Sequence, residues 1–272
     1  MKMARYGQVM KRFIKSLIPL PLRIRMKWAR AAMADIIGGP LPPRVPPRRK
    51  TFIGGGDFVS VGDDFLKQLI AHGLTPNMRV LDVGCGQGRM ARPLVSYLKG
   101  GTYDGFDIVK SGIEWCQTEY ADVSTFTFQH ANIFNARYNA DGKIAAKDYA
   151  FPFPDESFDF VFLTSVFTHM FKEDIENYLS EIYRVLKPEG RSLITWFIMR
   201  NSETADLDFI HQYDAVTWTT LKSNPEAALA FDKDFVLSLY AAHRFKPPQI
   251  HEGHWATTGG VSYQDNIIAD KK

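Results

Sequence analysis

Asp82, Gly84, Gly86 and Gly88, at alternate positions in the 272-residue chain, carry its clearest chemical signal. Three glycines in G-x-G-x-G spacing let the main chain bend through left-handed conformations and bring its N–H groups close to a ligand, because no Cβ intervenes. A second acid, Asp107, stands 23 residues beyond Gly84 and all but closes the run Tyr103–Ile108. A carboxylate at the tip of the strand after a glycine turn suits the two hydroxyls of a ribose. Such a set serves to hold a nucleotide-like ligand, with Cys85 inside the turn and Ile108 beside the second acid. Where the dinucleotide fingerprint G-x-G-x-x-G has its last glycine the chain has Arg89, which argues against a nicotinamide cofactor.

These residues need a strand–turn–helix frame, and the pattern supplies it. Val80–Val83 is a short apolar run that enters the glycines. Met90, Leu94, Val95 and Leu98 then recur at helical spacing. Tyr103–Asp107 reads as a second strand, Ser111 as the cap of the next helix, and Thr125–Gln129 as a third strand. Phe158–Leu163 is almost wholly apolar, as a strand covered on both faces must be. It leads into Thr164-Ser165-Val166-Phe167-Thr168-His169-Met170. A helix follows over residues 172–186, with Lys187-Pro188-Glu189-Gly190 as its stop and a fifth strand over Leu193–Ile198. Before the first strand, Asp63 reads as the cap of a helix carrying Phe65, Leu66, Leu69 and Ile70. Residues 200–224 form a polar, aromatic-bearing insertion before a last helix over 235–242. Residues 248–253 and 264–269 read as closing strands, with His254 and Trp255 between them, either under an acceptor or as a packed turn. The expected fold is α/β, a Rossmann-like, doubly wound, seven-stranded and mostly parallel sheet with an antiparallel last strand.

Charge divides the chain. Residues 1–50 hold 13 Lys and Arg against the single acid Asp35, a net of +12, which leaves −9 for the other 222 residues. Tyr6, Val9, Met10, Phe13, Ile14, Leu17 and Ile18 form an apolar stripe at helical spacing, and a weaker stripe runs from Leu22 to Ile37. A basic amphipathic helix with Trp28 nearby reads either as an anchor on an anionic membrane surface or as a helix packed on protein. A polyproline-like linker, Pro40–Pro47, follows. The expected organisation is a basic helical extension with linker over 1–50 and a catalytic domain over 51–272. Two cysteines suggest neither a disulfide framework nor a zinc site, so no metal centre is expected, and they fit a reducing cytosol. No apolar run approaches a membrane span, and no nucleic-acid-binding module accompanies the basic head, so a nucleic-acid partner is not expected. The expected location is cytoplasmic, with residues 1–38 able to hold the chain peripherally on the inner membrane face.

Val80-Leu81-Asp82-Val83-Gly84-Cys85-Gly86-Gln87-Gly88 resembles the first motif of class I S-adenosylmethionine-dependent methyltransferases. Phe151-Pro152-Phe153-Pro154-Asp155-Glu156-Ser157-Phe158-Asp159-Phe160-Val161 resembles the approach to their fourth strand. Tyr183-Arg184-Val185-Leu186-Lys187-Pro188-Glu189-Gly190-Arg191 resembles their helix-to-fifth-strand link. The matches span about residues 79–198 and are most similar to the type 11-like methyltransferase domain. The resemblance implies S-adenosyl-L-methionine as the cofactor, held by Asp82, Gly84, Cys85, Gly86, Gly88, Asp107 and Ile108. It implies that Asn132 meets the adenine amino group, that Ile133 offers the ring an apolar face, and that Ser165 lies beside the donor methyl.

Methyl transfer from a sulfonium is an in-line displacement that needs alignment above all. A hydroxyl acceptor also needs a base, for which His169, His211 and His254 are candidates. His169 has a second reading, as a loop residue held by hydrogen bonds. Ser165–His169 resembles small-molecule and sugar O-methyltransferases, and no Asn-Pro-Pro-Tyr run of the nucleobase-methylating type follows the fourth strand. The expected acceptor is a small-molecule, sugar or lipid-linked group. A non-catalytic binding module and a nicotinamide-dependent oxidoreductase are the alternatives.

Overall fold

The computed structural model describes Met26, Ala29 and residues 32–33, 35–200, 205–257, 259–260 and 262–272. The expected helix over residues 3–18, Leu22 of the weaker stripe and Trp28 lie outside them. The chain divides into two compact units at Gly54 and Gly55. In the first, the Asp35 carboxylate accepts from the backbone N–H groups of Arg48 (3.0 Å) and Arg49 (3.3 Å). Met33, Ile36 and Ile37 there are exposed. No helix among the described residues is long and apolar enough to cross a membrane.

The second unit runs α1 (Phe58–Ala71), β1 (Arg79–Val83), α2 (Ala91–Tyr97), β2 (Thr102–Asp107), α3 (Lys110–Glu119), β3 (Phe126–His130), β4 (Phe158–Leu163), α4 (Lys172–Val185) and β5 (Leu186–Trp196). It continues with β6 (His211–Gln212), β7 (Thr217–Thr219), β8 (Leu229–Phe231), α5 (Lys233–Ala242), β9 (Gln249–His251) and β10 (Asp265–Asp270). Seven strands make one sheet in the order β3-β2-β1-β4-β5-β10-β9. The pairings from β3 through β5 are parallel, and β10 runs antiparallel to both its neighbours. The strand order reverses between β1 and β4, the crevice where open parallel sheets take ligands.

Strands buried on both faces build two cores. Leu81, Val83, Val161, Leu163, Ile194, Trp196 and Ile267 face one side, under Ile175, Leu179 and Ile182 of α4 and Val236 and Tyr240 of α5. Val80, Phe160, Phe162, Leu193 and Ile268 face the other, under Phe65 and Leu69 of α1, Leu94 of α2 and Ile113 of α3. A third, smaller cluster holds Phe197, Phe209 and Trp255. The insertion after β5 forms a three-stranded antiparallel sheet, β6-β7-β8, which the sequence reading lacked.

Three local expectations are corrected. α1 begins six residues earlier than expected, because Asp57 rather than Asp63 is its cap and accepts from Ser60 N–H at 2.9 Å. Asp63 lies inside the helix and pairs with Arg92. Ser111 does not cap α3, whose side-chain cap is absent; Asp107 instead accepts from Val109 N–H just before the helix, at 2.7 Å. Lys187–Gly190, expected as the stop of α4, already lies in β5, which begins at Leu186 and not at Leu193; Glu189 within it is left-handed (φ 63°). Gly190 is needed for closeness, since a Cβ there would sit 2.8 Å from the Lys187 carbonyl oxygen.

Candidate functional site

The turn after β1 fits the glycine spacing. Gly84, Gly86 and Gly88 take φ of 82°, 58° and 73°, a region that costs other L-residues about 1–2 kcal/mol. Two of them are also crowded. A Cβ on Gly84 would lie 2.5 Å from Val166 Cγ2, and one on Gly88 2.8 Å from the Tyr120 hydroxyl. The bend is anchored on β2, because the N–H groups of Gly84 (2.9 Å) and Cys85 (3.1 Å) donate to the Phe106 carbonyl. Cys85 itself is buried among Val80, Tyr103 and Cys116, and burial raises its thiol well above the ordinary value, so it is a packed neutral group. Arg89 donates to the Gly55 carbonyl at 3.1 Å and lies over the Phe58 ring, holding the segment that leads into α1.

Both acids are buried. Asp107 accepts from Gly86 N–H at 2.8 Å and from Val109 N–H at 2.7 Å, which ties the β2 tip to the glycine turn. Burial raises its pKa, and those backbone N–H groups pull against the rise. Asp82 is fully buried and accepts from the Tyr103 hydroxyl at 2.7 Å through Oδ2. Its Oδ1 has no partner among the described residues. Burial drives the Asp82 carboxyl up to about 8, the Tyr103 bond opposing and the Asp107 charge adding to the rise.

The tip of β4 faces the turn. Ser165 has φ 59°, left-handed without being glycine. Its N–H donates to Thr195 Oγ1 at 2.8 Å, and its hydroxyl accepts from the Gln264 amide at 2.8 Å. A short 3₁₀ turn over Phe167–His169 follows. His169 Nδ1 lies 2.8 Å from the Glu226 carbonyl oxygen. A carbonyl only accepts, so Nδ1 carries the proton and Nε2 is left with its lone pair. Burial lowers the His169 pKa below the ordinary 6.5, with the Glu226 bond opposing. The Glu226 side chain accepts in turn from Asn135 at 3.3 Å, which ties the segment after β3 to the insertion after β5.

The remaining expected residues are placed less uniformly. Ile108 is half-buried, and its carbonyl lies 3.1 Å from His130 Nε2. Asn132 follows β3 with an exposed side chain, while its carbonyl accepts from Lys143 and Ile144 N–H at 3.0 and 3.1 Å. Ile133 turns inward and is 2% exposed, so its side chain belongs to the core and not to an open face. His254 is exposed, its ring 5.3 Å from that of Tyr263. Trp255 is buried against Phe197 and Phe209 and donates to Asp265 at 2.9 Å. That is the packed-turn alternative for Trp255. Among the described residues no group of three or more His, Cys, Asp or Glu could hold a metal ion.

Sequence reasoning missed Thr195, Glu226, Gln264 and Asp265. Glu226 and Gln264 meet the β4 tip across 57 and 99 residues, and no local pattern foretells that. Thr195 alone left a trace, as a polar residue inside an otherwise apolar run.

Residues 81–194 match the family model described as a methyltransferase domain. A fatty-acid O-methyltransferase of Mycolicibacterium smegmatis is 32% identical over 117 residues, covering 43% of this chain and 36% of that protein. A sterol 24-C-methyltransferase of Gibberella zeae is 33% identical over 126 residues, covering 44% of this chain and 28% of that one. The chain thus spans about a third of the length of these curated relatives. Among solved structures, a 1,6-didemethyltoxoflavin-N1-methyltransferase of Burkholderia thailandensis, bound to its substrate and S-adenosylhomocysteine, superposes with a TM-score of 0.53 at 16% identity. That match covers 94% of this chain and 92% of the other and speaks for the fold alone. Residues 81–194, the stretch that holds the three left-handed glycines and the tip of β4, are thus similar to a methyltransferase domain, and the strand order agrees with the fold of that solved structure.

Proposed function

We propose that the protein transfers the methyl group of S-adenosylmethionine to a hydroxyl of a lipophilic or lipid-linked acceptor. The observation that carries the acceptor class is where apolar surface is left open. Among the described residues of the second unit eight large apolar side chains are exposed, and all but Ile70 lie on segments at the carboxyl edge of the sheet. Phe134, Tyr138 and Ile144 follow β3; Ile210, Tyr213 and Leu221 belong to the insertion; Tyr263 precedes β10. Apolar surface gathered at one rim marks a binding face, not scattered exposure. The matched fatty-acid and sterol enzymes are named for lipid acceptors, in keeping with this reading.

The donor supplies a methyl carbon on a sulfonium. In this reading the main chain of Gly84–Gly88 and the Asp107 carboxylate hold its adenosyl part, Asn132 meets the adenine, and Ser165 stands at the methyl. The unpartnered Oδ1 of buried Asp82 and the crowded, left-handed Gly84 are features that such a ligand fits. His169 takes the acceptor proton at Nε2, since its Nδ1 proton is committed to Glu226. His254 serves the acceptor side beside Tyr263. The first unit holds the protein at an anionic membrane surface, where Met33, Ile36 and Ile37 are available to lipid.

Calorimetry with S-adenosylhomocysteine and with NAD tests the donor, with binding expected for the first alone. Labelled donor in a lipid extract then identifies the product. A labelled product confined to the aqueous phase overturns the acceptor class. Because burial lowers the His169 pKa, the neutral base survives to lower pH than a free imidazole. The acid limb of the rate profile is expected below pH 6.5 and to disappear in His169→Gln. Liposome flotation of the full chain against one starting at residue 51 tests the membrane role, and equal flotation counts against it.

A further inference from the structure

We propose that Gln264 is a positioning residue, an amide clamp that holds the tip of β4 in the conformation needed by the donor site. This rests on the donor reading above. Ser165 is left-handed at φ 59° without being glycine, and such a residue persists only where its surroundings over-determine it. The clamp is visible. Gln264 Nε2 donates to Ser165 Oγ at 2.8 Å and to Thr168 Oγ1 at 3.4 Å, while Ser165 N–H donates to Thr195 Oγ1 at 2.8 Å. The two hydroxyls bracket Val166, whose Cγ2 is 2.5 Å from where a Gly84 Cβ would be. Thr168 is fully buried and directly precedes His169. One amide therefore fixes the residue that presses on the glycine turn and the residue that leads into the base.

Gln264 can act as a clamp because its own position is fixed by its neighbour. Asp265 is fully buried and accepts four hydrogen bonds, from Ile198 N–H (2.8 Å), Gly253 N–H (2.8 Å), Trp255 Nε1 (2.9 Å) and Arg200 (2.7 Å). These bonds join the end of β5, the segment after β9 and the start of β10. Gln264 thus reaches across to the β4 tip from a rigid support, and the last strand of the sheet takes part in the geometry of the first turn.

The test uses the full chain and two readouts. In Gln264→Ala, S-adenosylhomocysteine affinity by calorimetry is expected to fall about fivefold, the usual worth of one hydrogen bond. Without any ligand, the Ser165 amide is expected to exchange its hydrogen faster, because its bond to Thr195 depends on the same turn. Gln264→Glu, whose carboxylate can accept from both hydroxyls, is expected to recover both. In a Ser165→Gly background, where the left-handed turn needs no support, the alanine substitution is expected to lose most of its effect. If Gln264→Ala fails to fold, Gln264→Met, with the same reach and no amide, takes its place. Unchanged exchange at Ser165, or an equal loss in the Ser165→Gly background, overturns the clamp. Wild-type protein that ignores S-adenosylhomocysteine overturns the donor reading instead, and the exchange measurement still decides the clamp.

Discussion

Between residues 79 and 131 the carboxyl edge of the sheet is made of main chain: three left-handed glycines, N–H groups donated to Phe106 and Asp107, and parallel strands in continuous register. Between residues 196 and 265 the same edge is made of side chains. Phe197, Phe209 and Trp255 pack together, Asp265 gathers four donors, and a small sheet of two- and three-residue strands carries the exposed rim. A ligand common to many proteins can be held by backbone geometry, which tolerates little change. A variable acceptor calls for side chains on a separate scaffold, which can be exchanged while the turn is left alone.

The comparison predicts separable damage. Trp255→Ala removes a buried ring and one of the Asp265 donors, and is expected to lower stability by about 4 kcal/mol in denaturant unfolding. Measured below the lowered midpoint, S-adenosylhomocysteine affinity should stay within about threefold of wild type, since three of the four Asp265 donors remain to support Gln264. A larger loss of affinity breaks the division. In the other direction, Gly84→Ala adds a Cβ against Val166 at positive φ, an expected cost of about 3 kcal/mol from strain and overpacking. S-adenosylhomocysteine affinity should fall about 100-fold, with the near-ultraviolet signal of the Trp255 cluster intact.

The division also explains what the sequence disclosed. The donor side was legible because its determinants are local. Glycine spacing, the apolar run of β1 and the acid closing β2 all lie within 29 residues. The fourth strand, Phe158–Leu163, was read to the residue because burial on both faces leaves it apolar but for Asp159 near its start. The caps were less legible. Asp57 and Asp63 both precede plausible helical turns, and only packing against Arg92 decides between them. The three-stranded insertion was invisible, since β6 has two residues and neither periodicity nor length can register it. Gln264 and Glu226 act only through contacts made across the fold.

Two smaller effects sharpen the picture. Asp107→Asn leaves one oxygen where two accept from Gly86 and Val109, and should weaken S-adenosylhomocysteine binding about tenfold by calorimetry. Asp82 gives a pH signature. Burial raises its folded-state pKa from 3.8 to about 8, so the folded chain holds a proton that the unfolded chain has released. Its contribution to stability is complete below pH 3.8 and declines as pH rises to about 8. Unfolding free energies between pH 5 and 8 should fall less steeply in Asp82→Asn, by at most one proton. An unchanged slope would mean that Asp82 is ionised in the fold.

The place of β10 has a consequence for how the molecule is made. Residues 265–270 lie between β5 and β9, so the sheet has a gap in its interior until that segment emerges from the ribosome. The earlier strands can pair as they are synthesised, but β5 meanwhile presents an open edge to any other chain. Newly made protein therefore passes through a stage at which a stalled or shortened product would be prone to aggregate.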